Sequence, residues 1–181
     1  MPIKITIPRQ ELFDESLNEF ITINEISLTL EHSLVSISKW ESKWHVPYLN
    51  NRDKTPEQAI DYIRCMTITQ NVDSEMYKYI PESEIIRVKE YIEDPMTATT
   101  ITRPEGSSRS LRVITSEVIY FYMATYNIPV EFEKWHLNRL LTLIDVCNEE
   151  NKPKKSMSMA QIMSRNASLN AKRRAMYNTK G

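Results

Sequence analysis

EFEKWHLNRLLTLIDVC, residues 131–147, is the longest run in the chain with a clear helical period. Phe132, Trp135, Leu140, Leu143, Ile144 and Cys147 recur at steps of three, four and five, which keeps them near one apolar stripe. Leu137, Leu141 and Val146 widen the stripe beyond what a half-exposed helix needs. A helix apolar over so much of its girth is normally the central member of a bundle. The spacing therefore predicts a hub helix over 131–147, with other helices laid against it.

The segments before the hub alternate between two periods. In residues 1–30, Ile3, Ile5 and Ile7 alternate with polar residues until Pro8, and Phe20–Ile23 and Ile26–Leu30 repeat the pattern, as half-buried strands do. A small antiparallel sheet or hairpin is expected. After it, Leu34, Ile37, Trp40 and Trp44 step as a helix that Ser33 caps and His45 and Pro47 end. Thr55-Pro56-Glu57-Gln58 is a capping box that opens a helix expected to run to about Gln70. A short turn over 73–80 and a helix over 83–92 follow, the latter stopped by Asp94-Pro95. Thr97–Thr115 favours extended structure around the turn-rich segment 103–108, which predicts a second hairpin or an irregular lid. Ser116 caps a helix expected over Val118–Tyr126, and Ile128-Pro129 separates it from the hub.

Beyond the hub, 148–155 is polar and reads as a hinge. Ser158–Gln161 is another capping box, and the helix after it carries Ile162, Asn166, Leu169 and Arg173 on one face, thin in apolar residues. The fold class expected is α+β and mainly α-helical: a helical bundle core, a small antiparallel N-terminal sheet or hairpin, and a detachable C-terminal helix. The segments are 1–30, 31–148 with the hairpin near 97–115, and 149–181.

Composition narrows the function. The chain has 181 residues, 41% hydrophobic, with a formal net charge of -1, which gives no global pull toward nucleic acid or anionic lipid. Two glycines against nine prolines disfavour a phosphate-cradling loop. Cys65 and Cys147 sit in helical apolar patterns and read as buried free thiols. No apolar run approaches the length of a membrane span, and no basic-then-apolar leader precedes the first strand.

No catalytic constellation stands out. His32, His45 and His136 have no metal spacing, and His136 beside Trp135 reads as a structural histidine. Ser107-Ser108 lacks a nucleophile elbow, and adjacent Glu149-Glu150 point apart on a helix. No catalytic residue, metal ligand or cofactor is assigned, and a non-enzymatic protein is expected. Candidate partner-binding residues are Trp40 and Trp44, which pack as core indoles or face a partner as an aromatic patch. Met159 and Met163, with Met157, form a methionine cluster suited to adaptable contacts. Lys172, Arg173 and Arg174 form a basic run that docks on an acidic partner or on nucleic acid, with only Tyr177 available for stacking.

The runs IPVEFEKWHLNRLLTLIDVC (128–147) and NKPKKSMSMAQIMSRNASLNAKRR (151–174) resemble tail assembly chaperones of long-tailed bacteriophages. LEHSLVSISKWESKWHVPYL (30–49) and TPEQAIDYIRCMT (55–67) are similar to the N-terminal half of the same family. The resemblance implies a non-enzymatic assembly factor that binds the tape measure protein and keeps it soluble while tail tube subunits polymerise. It implies tail tube protein and a second copy of the chain as further partners, the host cytoplasm as location, and absence from the mature virion. It also implies a frameshift product, with Lys154-Lys155 at an A-rich slippery run and 156–181 as the extension. The alternative is a virion structural or nucleic-acid-binding protein that uses the basic tail.

Overall fold

In the computed structural model, residues 2–14, 19–51, 53–100, 113–151 and 158–178 are described, the side chains at 12–14, 19 and 21 excepted. Strand β1 (Ile3–Ile7) pairs antiparallel with β4 (Ile26–Leu30), and β2 (Gln10–Asp14) pairs with β3 (Glu19–Ile23). Ile7 faces Ile26 and Gln10 faces Ile23, so both ladders keep one register across a two-residue gap. Pro8 lies in that gap, and a residue without an N–H cannot continue a ladder. The alternation is as the sequence predicts: Ile5, Ile7, Leu28 and Leu30 are buried, while Thr6 and Ser27 meet on the outer face at 3.4 Å.

The free edge of β4 is used as well. Leu30 bridges Thr67; the Glu31 amide donates to Met66 O at 2.9 Å and the Ile68 amide to Thr29 O at 2.8 Å. This bridge ends α2 (Pro56–Met66) short of the expected Gln70, because Thr67 takes an extended backbone to reach β4. The capping box at the start of α2 is present in full.

The hub of the first unit is α1 (Leu34–Trp44), which packs against α2, α4 (Ser116–Thr125) and a 3-10 helix at Val130–Lys134. It buries Leu34, Ile37 and Trp40 completely. This corrects the assignment of the hub to 131–147. There the backbone is a 3-10 helix to Lys134, extended at Trp135, and bridged between His136 and Ser33; α5 begins only at Leu137 and runs to Glu150. The Leu137 amide donates to His32 O at 2.8 Å, so the pairing consumes what would have been the first turns of the helix. Leu137, Leu140 and Ile144 are the buried residues of α5, and its other apolar side chains are half-buried. The periodic pattern is real, but the helix is amphipathic and peripheral rather than enclosed. It also continues through the first residues of the predicted hinge.

A 3-10 helix (Ser74–Tyr79) and α3 (Glu82–Glu93) complete the first unit, α3 lying against β1. The expected hairpin over 97–115 has no strand in its described parts, 97–100 and 113–115; residues 101–112 lie outside the described residues. The Thr99 amide donates to Thr97 Oγ1 at 3.1 Å, a local turn that competes with a ladder. At the other end, the Ile114 amide donates to Asn50 Oδ1.

The fold is thus α+β, mainly helical, with a small antiparallel sheet. The chain divides into two compact units, Met1–Asn148 and Glu149–Gly181. The strand segment shares the first unit with the helices instead of forming a domain of its own.

Candidate functional site

Helix α6 (Met159–Tyr177) forms from its predicted start: Ser158 Oγ accepts the Gln161 amide, and Gln161 Oε1 accepts the Ser158 amide in return. Every residue of α6 is exposed. Its large apolar side chains are therefore uncovered, with Met159 73% and Met163 67% exposed. At about 100° per residue, Met159, Ile162, Met163, Leu169, Met176 and Tyr177 fall within an arc of about 140°. Arg165 and Lys172 border the arc on one side, Arg174 borders it on the other, and Arg173 lies within it. No Asp or Glu occurs in α6. Five of the predicted contact residues are thus sorted by one helix: Met159 and Met163 on the stripe, with Lys172, Arg173 and Arg174 on or beside it. Met157 falls outside the described residues.

The charge is divided with the fold. The unit Glu149–Gly181 holds eight Lys and Arg against two Glu, and the unit Met1–Asn148 holds 15 Lys and Arg against 22 Asp and Glu. The near-neutral chain is an acidic body joined to a basic extension.

Of the two readings of the tryptophans, the packing one holds for Trp40, which corrects its place among the partner-contact candidates. Trp40 is fully buried; its Nε1 donates to Gln58 O at 3.0 Å and its ring meets Tyr48 edge-on at 5.2 Å. Trp44 is half-buried and donates Nε1 to Asp61 Oδ2 at 2.8 Å, while Lys43 Nζ donates to Asp61 Oδ1 at 2.6 Å. Together these bonds clip α1 to α2. Burial of Asp61 works to raise its pKa, but the hydrogen bonds from Lys43 and Trp44 outweigh it and hold the carboxyl below the usual range.

A second arrangement was not legible in the sequence. His32 and His136, far apart in the chain, lie edge to face with ring centroids 5.1 Å apart, both buried. His32 Nδ1 shares a 2.5 Å hydrogen bond with Tyr62 Oη, and Tyr62 stacks on Tyr48 at 4.0 Å. His136 Nε2 lies 2.9 Å from Tyr91 O, and its Nδ1 has no protein partner among the described residues. Tyr91 Oη donates to Glu31 Oε1 at 2.5 Å. Burial, with the neighbouring His136 and Lys54 adding to it, lowers His32 to about 3. Burial likewise lowers His136 and raises Tyr48, Tyr62 and Tyr91. The group is therefore a neutral aromatic and imidazole cluster near neutral pH, locking β4, α2 and the start of α5 together.

A cleft of about 430 Å³ opens on one flank of this cluster, with Tyr48, Lys54, Tyr62 and Val88 among its walls. Lys54 Nζ sits 4.1 Å over the Tyr48 ring and donates to Asn51 O. Among the described residues, no three His, Cys, Asp or Glu side chains are grouped to hold a metal ion. Cys65 and Cys147 are half-buried. No helix of the described residues is long and apolar enough to cross a membrane. No known protein family matches the chain, and no curated protein or solved structure matches it.

Proposed function

We propose that the chain is a non-enzymatic tail assembly chaperone of a long-tailed bacteriophage. It binds the tape measure protein, with tail tube protein as a further partner, and keeps it soluble in the host cytoplasm while the tube polymerises. It is then absent from the finished particle. The resemblance of residues 30–49, 55–67 and 128–174 to that family supports this reading.

The observation that carries it is the uncovered stripe of α6, six large apolar side chains on a helix with no buried residue. A single helix of this length has little stability of its own, and gains it when a partner covers its apolar face. Three of the six are Met159, Met163 and Met176, whose unbranched side chains repack against varied apolar helices. That suits a chaperone for a long, irregular, aggregation-prone client.

A specific observation favours a second reading, a virion structural or nucleic-acid-binding protein. The run Lys172-Arg173-Arg174 lies on a helix that carries no acidic residue.

Co-expression separates the two. Tape measure protein is expected to be soluble with the intact chain and insoluble with a Met159→Asp/Met163→Asp variant. A tape measure protein equally insoluble with the intact chain removes the chaperone reading. The second reading instead expects salt-dependent binding to DNA or RNA that disappears when Lys172, Arg173 and Arg174 are replaced by Gln.

A further inference from the structure

The acidic body carries a groove of about 580 Å³, of mixed apolar and polar lining, between the segment Thr22–Ile26 and the 3-10 helix Ser74–Tyr79. Its apolar walls come from Ile23, Ile26, Met76 and Tyr79. Ile23 is buried and the other three are half-buried, so each of the three keeps an accessible face. Glu25, Asp73 and Glu75 form its rim, and no Lys or Arg lines it. Asp73 Oδ1 accepts the Glu75 amide at 3.1 Å, which fixes that carboxylate at the rim. Glu75 also pairs with Lys78 at 2.5 Å, but both side chains are 62% exposed, and such pairs are readily exchanged for another cation.

An apolar floor with an acidic rim is the complement of one other feature of the molecule: an apolar stripe with basic borders. We infer that this groove receives helix α6 of a second copy of the chain, so that copies associate head to tail. Two α6 helices cannot pair with each other on favourable terms, since each carries Arg165, Lys172, Arg173 and Arg174 and no acid to meet them. The groove offers both the carboxylates and the apolar contact that α6 lacks. The formal charges of the two units are opposite and nearly equal, so each added copy brings only one net negative charge, and repulsion builds slowly as the assembly grows. Groove and helix are different surfaces, so the contact is heterologous: it closes by reciprocal exchange in a pair, closes into a larger ring, or extends as a filament. The inference stands on the two surfaces alone and does not depend on the chaperone reading.

Sedimentation velocity of the full chain across concentration and salt tests it. The wild type is expected to associate in a concentration-dependent way at low salt and to dissociate as salt rises. Lys172→Gln/Arg173→Gln/Arg174→Gln in the helix, or Glu25→Gln/Glu75→Gln in the groove, is expected to weaken self-association about tenfold. All five positions are exposed, and unchanged circular dichroism confirms that the fold is kept. The deciding sample is a mixture of the two variants. The helix variant retains an intact groove and the groove variant an intact helix, so the mixture is expected to form one-to-one complexes that do not grow. A wild type that stays monomeric at low salt, a helix variant that associates as the wild type does, or a mixture with no heterocomplex each overturns the inference.

Discussion

Lowering the pH from 7 to 5 is expected to destabilise the first unit by about 2 kcal/mol through His32 alone. The ring is enclosed by Tyr62, Tyr48 and His136, with the Lys54 ammonium nearby, and none of these welcomes an imidazolium. Burial, the largest cause, lowers its folded pKa to about 3 from the ordinary 6.5. The unfolded chain therefore takes up a proton below pH 6.5 while the folded protein refuses one. Stability falls as pH drops through 6.5 and keeps falling until about pH 3. At pH 5 the unfolded state has gained about 1.5 pH units of proton binding, worth about 2 kcal/mol at 1.36 kcal/mol per unit. His136, also lowered by burial, adds in the same direction. Asp61 titrates in a different window: its depressed carboxyl stabilises the fold above its ordinary pKa of 3.8, and that contribution is lost only at lower pH. Urea unfolding followed by tryptophan fluorescence at pH 7, 6 and 5 measures the slope, with His32→Gln as the control. The variant starts less stable, having changed its bond to Tyr62, but its slope with pH should be shallower. A wild-type midpoint that stays level from pH 7 to 5, or a variant slope equal to the wild type's, refutes the account of a neutral buried pair.

Two further outcomes follow from the packing. Trp40→Ala should cost about 3–5 kcal/mol, because it empties the centre of α1 and leaves Gln58 O without its donor, whereas Trp44→Phe should cost well under that; urea midpoints compare them. Glu41 accepts the Tyr48 amide at 2.8 Å and the Ser116 amide at 2.7 Å, so Glu41→Gln, which turns an N–H toward one of those amides, should cost about 2 kcal/mol and speed amide exchange at the start of α4.

The local elements were legible wherever a local cause forms them. Alternating isoleucines made β1 readable and Ile26, Leu28 and Leu30 did the same for β4, Ser33 announced α1, and the boxes at Thr55 and Ser158 announced α2 and α6. Misreadings came where a distant strand or side chain took over. Residues 131–136 have helical spacing, but His136 pairs with Ser33 and the regular helix starts after it. Thr67–Gln70 would have continued α2 had β4 not had an open edge. Ser116 looked like a cap, yet Thr115 holds the cap position and Glu41 supplies the acceptor from α1. Trp40 and Trp44 share one period, and only the packing separates a sealed indole from a half-exposed one.

Within this chain, the periods of β1, β4 and α1, the capping boxes that start α2 and α6 and the basic character of the last segment are properties of neighbouring residues, set by side-chain period, backbone preference and composition over a few turns. The choice of α1 as the hub, the meeting of His32 with His136 and the acid-rimmed groove depend on residues far apart in the sequence. They arise when chain closure decides which apolar faces are covered, and no local pattern carries that information.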